Sequence, residues 1–408
     1  MKGSAGISAL KLTVLNKLIQ KFPKAPNMFF LSLFKTDKAE SDSVRWEIEY
    51  GSAGMTPFVA PGAPAPAIGI DGIGEGSAKA AFFKEKMYFD EEFLNNMREV
   101  GTIQKYASAE RQLGRGMQKL RNRCDRRREW MMCQMITDGG FSYVSKGGTR
   151  ATVSYGIPDT HIVTLDSDRK WGTGTNRNPI EDIFTAKTVL ADDAGVLPEM
   201  ALLNSELLKT LIMDEKIQAL LTKSAFGNGD LFANPGPVIA NLLGLGKLTV
   251  YDEMFEITGW LMGAVTGGTT TEIVVDDATD FEAGGRLRFV DMSEANSWED
   301  RIISAVNVAT NTVTITEAPV KTYLAGEDKV VMRKKFINDN TFLLLNTKSA
   351  DGMDIAEFME CPYGLDRQWG MQVDKKDEWD PDGTWMRVQD KGLPVLYHPD
   401  TIYSIKVR

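Results

Sequence analysis

Histidine is the scarcest reactive residue in this chain, with two in 408 positions, His161 and His398. Imidazole general-base chemistry therefore has only two candidates. They stand in the loop-like stretches PDTHI and LYHPD with no nucleophile motif beside them, so both read as surface or internally satisfied loop residues. Cysteine is nearly as rare. Cys124, Cys133 and Cys361 are odd in number and form no CxxC, which excludes a disulfide framework and a zinc module and fits a reducing compartment. No run approaches the roughly 20 apolar residues that cross a membrane. In the N-terminal MKGSAGISALKLTVLNKLIQKF, Lys11 and Lys17 interrupt the apolar stretch and no small-residue cleavage site follows. That pattern predicts an amphipathic helix over Ser8–Phe22 rather than a signal peptide. An excess of positive charge is missing too: the net charge of −9 argues against a general nucleic-acid binder.

Motifs that would carry chemistry fail on inspection. Gly244-Leu245-Gly246-Lys247-Leu248 suggests a phosphate loop, but the first glycine of that motif would fall on Asn241 and Leu248 replaces the hydroxyl that binds magnesium. Glu378-Trp379-Asp380-Pro381-Asp382-Gly383 resembles the start of a calcium loop. Its twelfth position is Gln389 rather than a bidentate glutamate, so a solvated acidic turn is expected. No GxGxxG leads from a strand into a helix. The sequence thus supplies no catalytic residue, no cofactor and no metal site.

What the chain does have is a long amphipathic helix, expected over 106–138. Tyr106, Ala109, Leu113, Met117, Leu120, Cys124, Met131 and Met135 fall on one stripe. Arg111, Arg115, Lys119, Arg123 and Arg127 form an i, i+4 row that starts opposite and winds slowly round, with Arg126 beside it. Residues 111–128 hold eight basic side chains and one acid, Asp125, which is +7 in a chain of −9. A helix of this length spans roughly 50 Å, and Gly139-Gly140 stops it. The basic row has two readings. The arginines pair with carboxylates of neighbouring elements or subunits, or they face a polyanion in sequence-independent, salt-sensitive contact. Most are expected in subunit pairing and some against nucleic acid.

Around this helix the pattern is of the α+β class. An apolar anchor, Asn27–Phe34, precedes a strand at Ser43–Tyr50. Residues 51–78 collect seven glycines and four prolines with only Asp71 and Glu75 charged, and Lys79–Phe89 reads as a returning strand. The whole is a two-stranded arm with a flexible tip, or else a disordered surface loop. A strand pair is expected over Phe141–Tyr155. From Pro179 helices and strands mix: a helix at Ile180–Ala191, a strand at Met200–Leu203, helical stretches at Glu206–Leu221 and Pro237–Leu243, and a strand at Lys247–Asp252. Residues 265–333 are nearly all alternating β-branched strand with turns at Ala283-Gly284-Gly285 and Thr310-Asn311, which predicts an inserted small barrel or sandwich. Asp339–Asn346 resumes the mixed pattern, and strands over Thr384–Val388, Pro394–Tyr397 and Ile402–Val407 end the chain.

The order of these parts resembles the tailed-bacteriophage major capsid proteins of the Hong Kong 97 type, the lambda-like head protein family. The resemblance rests on Phe29-Phe30-Leu31-Ser32-Leu33-Phe34, the arginine-rich spine Arg121–Met135, Asp339-Asn340-Thr341 before Phe342–Leu345, and Leu396-Tyr397-His398-Pro399-Asp400 before the last strand. It implies an N-terminal arm at 1–42 and an extended β-loop at 43–90 lying over a neighbouring subunit. It also implies a peripheral domain at 91–170 plus 366–392, and an axial domain at 171–264 plus 334–365 and 393–408. Residues 265–333 depart from the family pattern as an insertion. The resemblance further implies self-assembly as hexamers and pentamers into an icosahedral head around double-stranded DNA, with a portal, a scaffolding protein and a possible decoration protein, no membrane, and assembly in the host cytoplasm. No long charged coiled coil precedes Asn27, so the scaffold is expected to be encoded separately. Arg111, Arg115, Lys119, Arg123, Arg126 and Arg127 become the residues expected to face neighbouring subunits or packaged DNA. The rival readings are an encapsulin-type cellular compartment, a tail or baseplate protein, and a hydrolase or transferase built around His161 or His398.

Overall fold

A computed structural model describes residues 10–49, 55–56, 58–59, 74–93, 103–144, 150–223, 234–294, 297–380 and 382–408. The chain forms two compact units, residues 1–251 with 339–408, and residues 252–338.

The first unit begins with helix α1 (Leu12–Lys21), whose Leu15 and Ile19 are buried, and a short helix α2 (Phe29–Leu33). Strands β1 (Lys35–Lys38), β2 (Ser43–Ile48), β3 (Gly74–Lys79) and β4 (Ala81–Asp90) follow. β2 and β3 form a two-stranded ribbon from Ser43 opposite Lys79 to Ile48 opposite Gly74. The ribbon's return strand is therefore the glycine-bearing 74–79 and not Lys79–Phe89. β4 instead leaves the ribbon and pairs along ten residues with β19 (Asp382–Leu396). The two-stranded ribbon thus ends at Lys79. Gly76 is needed where it stands: a Cβ there would lie 2.3 Å from the indole of Trp46, which folds across it. The proline-rich tip expected over 51–73 falls almost wholly outside the described residues.

Helix α3 (Ile103–Asp138) is continuous for 36 residues, starting three residues earlier than the stripe predicts. The hairpin β5 (Gly140–Val144) and β6 (Arg150–Ser154) and the short β7 (Ile162–Thr164) come next. Helix α4 (Pro179–Ala194) has proline at its first position and ends on Gly195 in the left-handed region. β8 (Met200–Leu203) leads to α5 (Ser205–Ile212) and α6 (Glu215–Thr222). These are two helices because Asn204 and Asp214 each cap a separate start, Asn204 accepting from Leu207 N at 2.9 Å and Asp214 from Lys216 N at 3.0 Å. Helix α7 (Pro235–Leu243) ends on Gly244 at φ 61°, and β9 (Lys247–Val250) follows. The phosphate-loop lookalike is thus a helix C-cap followed by a strand.

The second unit is all β: β10 (Met254–Trp260), β11 (Glu272–Val274), β12 (Arg286–Val290), β13 (Trp298–Asn307), β14 (Thr312–Ile315) and β15 (Lys329–Lys335). They pair in the order β10-β15-β12-β13-β14-β11. The ends of β10 and β11 then meet through a Leu261–Val275 bridge and a bond from Met262 N to Val274 O of 2.9 Å, closing the sheet into a barrel. Ile257, Leu287, Phe289, Ile303, Val313, Tyr323 and Val330 fill it. Its borders are wider than the 265–333 expected, because β10 pairs with β15 over seven rows, Met254 with Lys335 to Trp260 with Lys329. Residues 252–264 therefore leave the proposed axial segment.

Back in the first unit, β16 (Thr341–Leu345), β17 (Ala356–Glu360), β18 (Gln372–Trp379), β19 and β20 (Ile402–Lys406) complete two sheets. One is β7-β20-β16-β8-β9, packed under α4 to α7 by Ile183, Leu190, Leu207, Leu211, Ile239, Phe342 and Leu344 among others. The other runs β1-β17-β19-β18 with β4 on β19. The first half of α3 packs there: Leu113, Met117, Leu120 and Cys124 meet Leu15, Ile19, Val373, Met386 and Val388. β19 is one 15-residue strand instead of the two expected to either side of residue 390. Pro394 is tolerated because β4 stops pairing at Gly392, leaving that stretch with β17 alone.

Candidate functional site on the long helix

The cationic helix is the feature that any function must use, and its charges fall into two populations. The inward set was hidden in the apolar stripe. Arg128 is buried, with its Nε 2.6 Å from Asp390 Oδ2 on β19 and one terminal nitrogen 2.8 Å from Glu360 Oε1 on β17. Burial opposes its charge, but the two carboxylates outweigh that and raise its pKa, so it stays a cation. Its signal in the sequence is a missing rung. The stripe steps from Cys124 to Met131, and position 128 fills the gap.

One helical step away, three successive turns hold the N-terminal segment by its main chain. Arg121 donates to Ile19 O. Asp125 Oδ2 accepts from Ala25 N at 3.0 Å, and Glu129 accepts from Phe30 N and Leu31 N at 2.9 Å each. Tyr251 adds a 2.8 Å hydroxyl bond to Glu129 Oε1, and its ring packs against Phe29 and Phe30. Glu129 is fully buried; desolvation raises its pKa against these four donors' pull, which includes a further bond from Phe29. A buried carboxylate at the start of α2 also suits the unpaired N–H groups there. The apolar anchor Phe29–Phe34 is therefore fixed by the helix that the sequence reads mainly as cationic.

The outward set holds the rest. Arg111, Arg115, Lys119 and Arg127 are exposed and Arg126 is half-buried. The Arg127 guanidinium lies 5.0 Å from the ring centre of Trp130. Among the described residues no carboxylate pairs with Arg115, Lys119 or Arg126. Arg123 is half-buried and ion-paired with Glu85 of β4, a neighbouring element, because the row winds toward the sheet.

The two histidines are engaged within the fold. His161 is buried, with Nδ1 2.8 Å from Ile402 O and Nε2 2.9 Å from Asp193 Oδ2. His398 is buried too, its Nδ1 3.2 Å from Glu49 O. All three cysteines are free and buried. The calcium-loop lookalike is the end of the β18–β19 hairpin, where Glu378 accepts from Trp385. No described helix is long and apolar enough to cross a membrane.

Comparison with known proteins places this helix. The phage major capsid protein E family matches residues 11–279, which include helices α1 and α2, the ribbon and the long helix. The chain belongs to that family. It is a structural component of the phage virion, in a family of capsid proteins. Its mixed helix-and-sheet fold is that of Hong Kong 97-type capsid proteins. A protein described as the capsid protein of a prophage in E. coli CFT073 aligns over 100% of both chains at 14% identity with a TM-score of 0.51. A phage-related protein from Bordetella bronchiseptica RB50 aligns over 97% of this chain and 96% of its own, at 12% identity and a TM-score of 0.46. Comparison with curated proteins gives no match. For a capsid protein of a multimeric shell, the inward set holds the subunit's own elements together.

Proposed function

We propose that this capsid protein is the repeating subunit of an icosahedral head enclosing double-stranded DNA, assembled in the host cytoplasm as hexamers and pentamers of itself. A portal, a separately encoded scaffolding protein and a decoration protein complete the particle in this reading. The β2–β3 ribbon is then the base of the extended loop that overlies a neighbour. Residues 91–170 with 366–392 are the peripheral domain, and the remaining mixed part is the axial domain. The observation that carries the reading is the row Arg115, Lys119 and Arg126, exposed or half-exposed without a carboxylate of its own chain among the described residues. Three cations along a rigid helix suit contact with a neighbouring subunit or with phosphate, and such contact weakens with salt.

The test is expression of the chain with its scaffold and electron microscopy of the product, for the native sequence and for Arg115→Glu/Lys119→Glu. Native chain should give shells or capsomers. The charge-reversed chain should fold, since exposed substitutions cost under about 0.5 kcal/mol, but form fewer shells or heads that lose DNA. A native chain that stays monomeric under every assembly condition sinks the reading. Charge-reversed shells that form and fill normally remove the helix from it.

A further inference from the structure

Large apolar side chains are exposed on the second unit chiefly round one end of its barrel. The chain enters and leaves at the other end, where Met254 stands opposite Lys335, and the β10–β15 pair runs from there to Trp260 opposite Lys329. Around that far row Trp260, Met262, Met292, Trp298, Val320 and Leu324 are 41–80% exposed.

The hydrogen bonds at this end make these residues neighbours. The Asp328 carboxylate, 4% exposed as a residue, accepts from Met292 N at 2.9 Å and Leu324 N at 2.8 Å, and its carbonyl accepts from Leu261 N at 3.1 Å. Val290 links Lys329 to Trp298 across the sheet, and Glu299 accepts from Val320 N at 2.8 Å. Two carboxylates thus fix the loops of this end, and the apolar side chains are displayed on a held backbone. Single exposed apolar residues are ordinary, whereas six gathered on one rim mark an interaction surface. A rim that is already ordered also loses little freedom on binding.

The surrounding charge says what the rim meets. Residues 252–338 hold fifteen acids and eight bases, a net −7, while the rest of the chain totals −2. Asp276, which accepts from Trp260 N at 2.9 Å, is exposed there with Glu294 and Glu327. Of the nearby cations, Lys321 is paired with Glu294 at 3.0 Å and Lys329 lies 5.7 Å from the Trp260 ring centre. We propose that this end of the barrel is the docking site of a separate protein that offers an apolar patch bordered by lysine or arginine. Phosphate, whether of nucleic acid or of a lipid surface, is repelled by the acidic border. A second copy presenting the same end brings like charges together. The cationic face of α3 has no exposed large apolar side chain among its described residues to set against the rim. The inference goes beyond the capsid reading and does not depend on it.

The experiment titrates the unassembled full chain into fluorescent KLAKLAKKLAKLAK, an amphipathic basic peptide, and into its acidic counterpart ELAELAEELAELAE, read by anisotropy. Saturable binding of the basic peptide is expected, at least about tenfold tighter than of the acidic one. Met292→Gln/Leu324→Gln alters two exposed positions and should fold normally, yet weaken binding at least about tenfold. Val308→Gln, beyond the opposite end of β13, should leave it unchanged. Undiminished binding by the double variant overturns the inference, as does equal binding of the two peptides or an equal loss in Val308→Gln. Assembly supplies a second measurement: the double variant should give shells or capsomers in native yield. If it fails to assemble while its unfolding is unchanged, a second copy occupies this end and the separate partner is refuted. Native chain that binds the basic peptide with this specificity but forms no shell upholds the inference and sinks the icosahedral reading.

Discussion

Replacing Arg128 with methionine keeps a straight side chain of similar length and removes the only cation between two carboxylates. The Asp390 side chain is 0% exposed and that of Glu360 is 17% exposed, so the two will not suffer alike. Glu360 can draw on water. Asp390 keeps only the bond from its neighbour Lys391 N at 2.9 Å. Breaking a buried pair by removing one partner costs about 3–5 kcal/mol, and most of that should sit on Asp390. Adding Asp390→Asn should therefore recover roughly half, about 2 kcal/mol. Arg128→Lys should rescue only in part, since an ammonium on a flexible stem does not bridge two carboxylates as a guanidinium fork does. The assay is urea unfolding of the unassembled chain, followed by helical ellipticity, because every described helix lies in the first unit. A loss of less than about 0.5 kcal/mol, the range of ordinary surface changes, or no recovery on adding Asp390→Asn, would refute the reasoning.

Three further outcomes are expected. Glu129→Ala orphans Phe30 N, Leu31 N and the Tyr251 hydroxyl. It should cost about 2–4 kcal/mol after relief of the buried charge is counted, with trypsin cutting at Lys21 or Lys24 far faster while the rest of the chain resists. Gly76→Ala puts a Cβ into the Trp46 indole and should destabilise the ribbon by about 1–3 kcal/mol. Hydrogen exchange should show faster exchange confined to residues 43–48 and 74–79. Burial pushes the Cys361 thiol up to about 12. Thiolate is then scarce at neutral and mildly alkaline pH, and iodoacetamide should label this residue only once denaturant is present; rapid labelling of the native chain at pH 8 contradicts its placement.

The sequence pattern was most readable where one periodicity runs unbroken. The stripe on α3 and the helix expected at Ile180–Ala191 lie within a few residues of their observed bounds, and the alternation through 265–333 gave the β character of the second unit but not its start. It failed where the choice of partner, not the local conformation, decides the outcome. Lys79–Phe89 has strand character and was taken as the arm's return, yet β4 pairs with a strand some 300 positions later, and the glycine-rich 74–79 takes the place beside β2. Nothing local to GEGSAK predicts that, because Gly76 is there to admit Trp46 and not to favour a strand. Likewise Pro394 reads as a strand break, and is compatible with one long β19 only because β4 stops two residues short of it.

The long helix shows the same limit for charge. Amphipathic analysis assigns arginine to the polar face by default, so Arg128 was only counted among the eight basic residues of 111–128 and given no partner. A guanidinium, though, can occupy an apolar stripe when acids come from elsewhere in the chain, and Asp390 and Glu360 lie over 230 residues away. The useful signal is therefore not where the arginines are but where the stripe of Leu113, Met117, Leu120, Cys124, Met131 and Met135 skips a turn. The same reasoning explains why Asp125 and Glu129 were undervalued. In a run of eight cations a lone acid looks like charge dilution, whereas each of these acids binds backbone N–H groups of residues 25–31. Backbone recognition leaves no trace in the side chains recognised. Substitutions among Ala25, Phe30 and Leu31 that keep their size should accordingly leave the N-terminal segment docked, while Asp125→Ala and Glu129→Ala release it together. If the side chains of residues 25–31 prove to matter more than the two acids, the helix holds that segment by packing and not by its main chain.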